Sequence, residues 1–400
     1  MPRNFIITGL DIGTSFIKGL TVLKKPNVSE LEVLAQAKTP AAGMRRGVVM
    51  NPEEVSKKVI QVIEQLQEQS GQKIKEVFLN IGGSHISSVS SRGEIIVSRA
   101  DQKISQEDIN RVIQASQALS LASNREILEV FPREFIVDNE KGIKDVLGMK
   151  GLRLGAEILL VCVFSPYLKN VTQAVLDSDL QILDIIPSPL ASARAVLNPQ
   201  QKELGTILVD FGAGSTGIAV YEEGDLIHTA VFPIGSSHIT SDVAVGLKCE
   251  IETAERIKKE FGSFEFSSKK EKTKKGKIEI PEKEISFPSS FLRNIIKSRV
   301  SETFSEVAKN LKKISKETIL PSGVILTGGG ASLPGLVEFA KQKFELPCYL
   351  SGPKGIGEVE EPSFSCCAGL LLSGFDFQEE DGGGEDLGSK FKKILKIFLP

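Results

Sequence analysis

The sequence predicts a mixed α/β protein built from two related halves, and three observations support this fold class. Apolar runs bounded by turn residues alternate with segments of helical period. Two similar glycine-containing turns lie half a chain apart, one after Asp11 and one after Asp210. The chain has 400 residues, 41% of them hydrophobic, which is enough to build two or three domain cores.

Short apolar runs and helical spacing locate the clearest elements. The predicted strands are Phe5–Gly9, Glu76–Ile81, Glu157–Phe164, Ile207–Asp210, Leu226–Phe232 and Val324–Thr327. A first helix is predicted over 52–69, where Pro52 suits the first turn. A second is expected after Ser165 as N-cap, and a long third helix covers 289–314.

The charge balance excludes a generally basic surface. With 49 basic and 51 acidic residues, the formal net charge is −2, which argues against binding to nucleic acid. Residues 374–400 contain six acidic residues followed by four lysines. The body is therefore neutral, and the charge pattern is concentrated in the tail.

The cysteine pattern, together with the lack of a signal peptide and of a long apolar run, predicts an intracellular protein. The five cysteines form no C-x-x-C pair, which fits a reducing compartment. Neither a signal peptide at Met1–Asn4 nor any run of 18 apolar residues occurs. We therefore expect a chain that is neither secreted nor membrane-spanning. The scattered histidines predict structural roles.

Two stretches depart from the core pattern. Residues 268–284 hold seven lysines and four glutamates, which predicts an exposed loop or hairpin tip, with a basic partner site as the alternative. Residues 374–389 contain three consecutive glycines among acidic residues and predict a flexible linker.

The two glycine turns have the composition of a phosphate clamp. In each, an aspartate at a strand end precedes glycines and small residues, which are Gly13, Thr14 and Ser15 in the first turn and Gly212, Ala213, Gly214, Ser215 and Thr216 in the second. Backbone N–H groups and hydroxyls at such a tip can form a nest for anionic oxygens. Asp11 and Asp210 would hold a hydrated Mg²⁺ that bridges to the phosphates. Either turn alone could be an ordinary hairpin, but the pair favours a clamp around a triphosphate.

A third glycine-rich element follows a predicted strand. Gly328, Gly329 and Gly330 would let the backbone approach a flat ligand, and Ser332 could cap a following helix. The alternative is a plain strand-to-helix turn. Neither a dinucleotide fingerprint nor a P-loop occurs in the chain.

Together, these three segments resemble the two phosphate motifs and the adenosine motif of the actin-like ATPase superfamily. Further stretches resemble one branch of it, the FtsA family of bacterial cell-division proteins. These stretches are 46–49, 128–138, 142–154 and 240–244, of which 128–154 is the most specific. The resemblance covers nearly the whole chain.

The resemblance implies an actin-like (ribonuclease-H-like) fold with two lobes around a nucleotide cleft. The implied divisions are 1–84 with 165–200 as the core of lobe I, 85–164 as an FtsA-type small subdomain, 201–236 with 316–373 as the core of lobe II, and 237–315 as a second, FtsZ-binding small subdomain. The linker 374–389 and an amphipathic helix, 390–400, would follow.

The same resemblance implies ATP and Mg²⁺ as cofactors. It assigns Asp11 and Asp210 to the metal, and the two turns with Lys18 to the phosphates. Gly328 to Gly330 and Ser332 would face the adenosine. Glu255 and Lys258 would reach the ribose and base, although from the residues alone they are an i, i+3 surface pair.

Arg299 and Glu302 align with residues that the family uses to bind FtsZ. An exposed helix pair is the alternative.

The tail has the pattern of a membrane-surface helix. Its apolar stripe and flanking lysines comprise Phe391, Lys392, Lys393, Ile394, Leu395, Ile397, Phe398 and Leu399. Residues 390–400 would form a helix only ~17 Å long, too short to span a bilayer. It could lie among anionic headgroups, where its lysines contribute about 4 kcal/mol. Docking on the protein's own body or in a partner groove is the alternative.

The expected function is therefore an ATP-binding protein that polymerises with itself and links FtsZ to the cytoplasmic face of the cell membrane at the division septum, with at most slow ATPase activity. Side-by-side tails in a filament would strengthen membrane binding. The alternatives are an actin-fold sugar or small-molecule kinase and a pilus-assembly adaptor.

Overall fold

A computed structural model describes residues 5–25, 30–98, 100–118, 123–264, 277–283, 285–314 and 320–381. Within these ranges, no helix is both long and apolar enough to cross a membrane. The predicted membrane helix, 390–400, and the second half of the predicted linker, 382–389, lie outside the described residues.

The strands divide into two large sheets and two short hairpins. In chain order they are β1 Phe5–Ile12, β2 Phe16–Lys24, β3 Glu32–Pro40, β4 Met44–Arg45, β5 Val48–Val49, β6 Glu76–Ile81, β7 Ser87–Ile96, β8 Arg125–Val137, β9 Glu140–Ile143, β10 Arg153–Phe164, β11 Gln181–Pro187, β12 Thr206–Phe211, β13 Thr216–Glu222, β14 Asp225–Phe232, β15 Lys277–Ile280, β16 Ile285–Pro288, β17 Val324–Thr327 and β18 Cys348–Leu350.

The α-helices cover the sheets. They are α1 Pro52–Ser70, α2 Gln106–Ser116, α3 Ser165–Leu176, α4 Ser188–Val196, α5 Pro199–Leu204, α6 Ser236–Leu247, α7 Ile251–Phe261, α8 Ser289–Ile314, α9 Leu336–Phe344 and α10 Ser365–Asp381. Local sequence explains the start of α1, where the side chain of Asn51 accepts from Glu54 N and proline occupies the first turn.

The two large sheets repeat one topology. The first has the order β11-β6-β1-β2-β3, and the second begins β18-β17-β12-β13-β14. In both, an antiparallel hairpin is flanked on one side by two parallel strands and on the other by a further antiparallel strand. The prediction of related halves is confirmed.

The second sheet continues into a small subdomain. Strand β14 meets β7 at a single pair, Ala230 with Ser87, and β7-β10-β8-β9 complete the nine strands. Helix α2 packs on β7 and β10 over a separate apolar core that includes Val112, Leu154 and Leu160. This unit lies within the range 85–164 expected for a small subdomain.

Helices α4 and α10 pack against each other next to both sheets. A Cβ at Gly369 of α10 would lie only 1.7 Å from the carbonyl oxygen of Ala191 in α4, so the crossing requires glycine. Their apolar side chains join the lobe I core to one face of the lobe II sheet, including Leu208 and Ile325. The crossing therefore connects the two lobes.

Most predicted elements are confirmed, and three details differ. Ser165 is the first residue of α3, and Phe164 occupies the N-cap position without a side-chain hydrogen bond. Helix α10 runs through Asp381, so the start of the predicted linker is helical because the apolar run of 366–375 continues the turns of the helix. In the lysine-rich stretch, residues 277–280 form β15 with Ile278 and Ile280 buried.

Candidate functional site

A cavity of about 280 Å³ lies between the lobes, where the two glycine hairpins meet. Most of the sequence-predicted site residues line it, namely Asp11, Gly13, Thr14, Ser15, Lys18, Asp210, Gly212, Ala213, Gly214, Ser215, Glu255, Gly328, Gly329 and Gly330. The fold therefore brings the two glycine turns and the third glycine-rich element, which are far apart in the sequence, to one site.

The two hairpins share the same turn geometry. Gly13 N donates to Phe16 O at 3.1 Å, and Gly212 N donates to Ser215 O at 3.0 Å. A Cβ at Gly13 would lie 2.8 Å from Phe16 O, and one at Gly212 would lie 2.9 Å from Ser215 O. Glycine is required at both positions because the turn carbonyl folds back over the α-carbon.

The hairpin tips touch across the cleft. A Cβ at Gly214 would lie 2.5 Å from Thr14 Oγ1. The missing side chain lets the backbone of lobe II come within van der Waals distance of the first hairpin. Residues of both hairpins thus line one small volume, which is the arrangement expected of an anion site.

Asp11 is held by two donors. Lys18 Nζ donates to Oδ2 at 3.0 Å, and Asn80 Nδ2 donates to Oδ1 at 2.8 Å. Burial works to lower the pKa of Lys18, but the Asp11 carboxylate outweighs it and raises that pKa. Lys18 also donates to Ser363 O at 2.5 Å, so it ties the hairpin to the segment before α10.

Asp210 has a different environment. Ser192 of α4 donates its hydroxyl to Oδ2 at 2.6 Å. Burial, with a smaller contribution from the charge of Asp11, raises the pKa of Asp210 to about 6, against the hydrogen bond from Ser192 and the charge of Lys18. The carboxylate therefore gains from any cation placed near it.

The two carboxylates fit the metal expected between hairpins and phosphates. Mg²⁺ usually keeps several waters and takes one or two carboxylates together with phosphate oxygens. Within the described ranges, no group of three or more acidic, histidine or cysteine side chains could hold a metal alone. A cation here would depend on Asp11, Asp210 and oxygens from a ligand.

The third glycine-rich element lies beside the second hairpin. Gly328 has a φ of 86°, and a Cβ there would lie 2.3 Å from Asp210 Oδ1. A Cβ at Gly330 would lie 2.7 Å from Phe211 O. Ser332 ends a 3₁₀ turn, and α9 begins at Leu336 after Gly335, so the prediction that Ser332 caps a helix is wrong. Ser332 does not line the cavity.

Glu255 and Lys258 form a partly buried cluster on α7. Lys258 Nζ lies 2.6 Å from Glu255 Oε2 and 2.8 Å from Thr240 Oγ1. Lys258 is 6% exposed, so the surface-pair interpretation is wrong for it. Burial lowers the pKa of Lys258 despite the opposing effect of Glu255. Glu255 lines the cavity, but Lys259 does so in place of Lys258.

Thr216 is also placed behind the cavity wall. It is fully buried, and its hydroxyl donates to Ile234 O at 2.6 Å. It therefore supports the second hairpin without facing the cavity.

Sequence reasoning missed several residues that line the cavity. They are Gly47, Asn80, Gly82, Ser188, Ser236, Lys259, Glu361, Ser363 and Cys366. Among these residues, only Gly47 had a signal in the sequence, because it belongs to the stretch 46–49 that resembles the family. The others come from segments with no local phosphate-binding pattern.

Arg299 is engaged within the chain. Its Nε and Nη2 donate to Asp242 at 2.6 and 2.9 Å, and its Nη1 donates to Glu302 at 2.5 Å. This ion-paired cluster joins α8 to α6. Hydrogen bonding to Asp242 raises the pKa of Arg299.

The class of protein follows from the fold. A solved type IV pilus PilM–PilN complex matches with a TM-score of 0.65 and 15% identity, covering 93% of this chain and 99% of that chain. MreB5 of Spiroplasma citri bound to ADP matches with a TM-score of 0.55 and 14% identity, covering 96% and 99%. The fold is actin-like.

Sequence comparison identifies the family. The family model described as cell division protein FtsA matches residues 207–369, and that of the SHS2 domain inserted in FtsA matches 83–162. Cell division protein FtsA of Pseudomonas aeruginosa is 34% identical over 96% of this chain and 93% of its own length. The Bacillus subtilis protein is 31% identical over 93% and 84%. The chain belongs to the FtsA family of cell-division proteins.

Proposed function

We propose that this chain is an ATP-binding, actin-like protein of bacterial cell division. The observation that carries the proposal is the convergence of Asp11, Asp210 and two glycine hairpins on one cleft, in a chain of the FtsA family. MreB5 structures with the same fold are described as bound to ADP and AMPPNP, which supports a nucleotide ligand here.

The residues suit a nucleotide with its phosphates between the hairpins. Backbone N–H groups near Gly13 and Gly212 would bind phosphate oxygens. Mg²⁺, when bound, would neutralise phosphate charge beside Asp11 and Asp210. Glycines 328–330 would leave room for the adenosine, with Glu255 nearby.

Titration of the purified protein with Mg·ATP tests this function. Asp210→Ala should weaken binding at least about tenfold, since one direct or water-mediated metal contact is lost. Asp177→Ala, at the exposed end of α3, is a matched control and should leave binding unchanged. Equal affinities of the wild type and Asp210→Ala would remove the metal assignment.

We further propose that the protein polymerises and links FtsZ to the cytoplasmic face of the membrane at the septum. The family supports this role, and the basic amphipathic sequence of 390–400 supplies the anchor. Co-pelleting with anionic liposomes, FtsZ and ATP tests it. Deletion of 390–400 should abolish liposome pelleting while FtsZ binding remains; persistent pelleting would refute the anchor.

Arg299 and Glu302 remain the proposed FtsZ contact. Glu302→Ala should weaken FtsZ binding with little effect on stability, because Glu302 is the more exposed partner of Arg299. Glu306→Ala, one turn further along α8, is the control. If both variants bind FtsZ like the wild type, the contact lies elsewhere.

A further inference from the structure

The short hairpin of β4 and β5 contributes Gly47 to the lining of the cavity. The role of this hairpin is not explained by the site described above. We call residues 43–50 the strap. Its strands pair Met44 with Val49 and Arg45 with Val48, so Arg46 and Gly47 form a two-residue turn at its tip. Both have positive φ, 50° and 82°, as a type I′ hairpin turn requires. The tip thus has one defined conformation.

The base of the strap is fixed to lobe I. Gly43 O accepts from the backbone N–H groups of Met50 at 2.8 Å and Asn51 at 3.1 Å. Asn170 of α3 donates through Nδ2 to Val49 O at 3.0 Å. Because the base is anchored, the position of the tip is set by the body of lobe I.

The tip lies in the seam between the two lobes. Gly47 N donates to Thr14 Oγ1 at 2.8 Å, on the first glycine hairpin. A Cβ at Gly47 would lie 2.9 Å from Ser215 Oγ, on the second hairpin, and 2.9 Å from Gly83 N. Gly47 also lines the cavity. The seam therefore admits the bare backbone of Gly47 and no side chain.

The contacts of the tip place it at the phosphate end of the cavity. It touches Thr14 and Ser215, which belong to the two hairpins. Gly330, in contrast, lies against Phe211 and Ser236, and the carbonyl oxygen of Ser236 accepts from Lys258, the ion-pair partner of Glu255. A nucleotide with its base near Gly330 would direct its last phosphate toward the strap.

We propose that the tip of the strap, through Gly47, closes the cleft on the terminal phosphate and makes the site prefer a nucleoside triphosphate to a diphosphate. This inference rests on the proposed function, in which the cleft binds a nucleotide. Gly47 acts as a positioning residue: its N–H orients Thr14, and its missing side chain allows the hairpins to approach. A triphosphate would contact both hairpins at the same time, so its affinity would depend on the close approach of the two tips. A diphosphate is shorter, so its affinity would depend less on that approach.

Gly47→Ala tests the proposal, with Gly148→Ala as the matched control. Gly148 has nearly the same φ, 78°, and a Cβ added there would meet no atom within 4 Å. Affinities for Mg·AMPPNP and Mg·ADP are measured by calorimetry. Gly47→Ala should weaken the triphosphate analogue about tenfold and the diphosphate less than about twofold, while the control changes neither.

The outcomes separate the two proposals. If the wild type binds neither nucleotide, the proposed function fails and the strap inference fails with it. If the wild type binds both but Gly47→Ala leaves the affinities unchanged, or weakens them equally, only the strap inference is overturned.

A measurement on the wild type keeps the inference testable if Gly47→Ala does not fold. In hydrogen–deuterium exchange, peptides covering 43–50 should be protected more by Mg·AMPPNP than by Mg·ADP at saturation. Equal protection of the strap by the two nucleotides would overturn the inference.

Discussion

The two halves of the cleft present the same hairpin but hold its aspartate in different ways. Asp11 is paired with the cation of Lys18 and the amide of Asn80. Asp210 accepts from the neutral hydroxyl of Ser192, and burial raises its pKa to about 6. A repeated backbone can therefore hold the same residue type in two electrostatic environments: the charge of Asp11 is balanced by Lys18, whereas burial makes the charge of Asp210 costly.

Asp11→Asn should give the largest loss of stability. It leaves the buried ammonium of Lys18 without its carboxylate, which typically costs about 3–5 kcal/mol of unfolding free energy. Denaturant unfolding at pH 7.5 measures the change. Glu53→Gln, which removes an exposed partner of Lys57, is the control and should unfold like the wild type. A stable Asp11→Asn would mean that Ser363 O alone suffices for Lys18.

Asp210→Asn should act in the opposite direction and stabilise the nucleotide-free protein. The folded pKa, about 6, lies above the ordinary value of 3.8. Between these values the folded state keeps a proton that the unfolded state has lost, so wild-type stability falls as pH rises through this window. Asparagine carries no charge, so the variant avoids this loss. Its unfolding free energy should be about 2–3 kcal/mol higher than that of the wild type at pH 7.5.

The pH dependence is the control for Asp210→Asn. Near pH 4 the folded carboxyl is protonated and the unfolded one is close to its ordinary pKa of 3.8, so most of the difference between the two proteins should be lost. A gain that is the same at pH 4 and pH 7.5 would contradict a buried, charged Asp210. The variant should also bind Mg·ATP more weakly, as expected when a strained functional group is replaced.

The common features of the two hairpins could be predicted from the sequence because they are local. The Asp, glycine and hydroxyl residues adjoin each turn, and the strands on either side have apolar patterns. The same local reasoning found β6, β17 and α8 with their observed bounds. Short-range patterns therefore identified both the fold class and the two glycine hairpins of the site.

The difference between the hairpins could not be predicted because it depends on long-range contacts. Asn80 is 69 residues from Asp11, and Ser192 is 18 residues from Asp210. The family resemblance predicted which residue types lie near the nucleotide but not where their side chains point. It assigned Lys258 to the site, whereas in the structure Lys258 bonds to Thr240 and its neighbour Lys259 lines the cavity. Side-chain direction on α7 is decided by packing against α6.

Asn80→Ala tests how far Asp11 depends on its neutral partner. Besides donating to Asp11, Asn80 accepts from Ile12 N at 2.7 Å. Alanine leaves a buried N–H and a carboxylate oxygen unsatisfied, so the unfolding free energy should fall by about 2 kcal/mol. Asn80→Asp is the informative comparison, since it keeps the acceptor but adds a like charge beside Asp11. Aspartate should therefore be at least as damaging as alanine at pH 7.5; if it is tolerated, the contact does not stabilise the Asp11 charge.

Ser192→Ala should have the smallest effect and the sharpest pH signature. Loss of the hydroxyl removes the hydrogen bond that lowers the pKa of Asp210, so that pKa should rise further. The cost in stability is about 1 kcal/mol at pH 7.5 and smaller at pH 4, where the carboxyl is protonated. Ser116→Ala, a buried serine bonded to the carbonyls of Val112 and Ala156, should lose a similar amount at both pH values. If the two serine variants show the same pH dependence, Ser192 only fills space, and the contrast between Asp11 and Asp210 must arise from Lys18 alone.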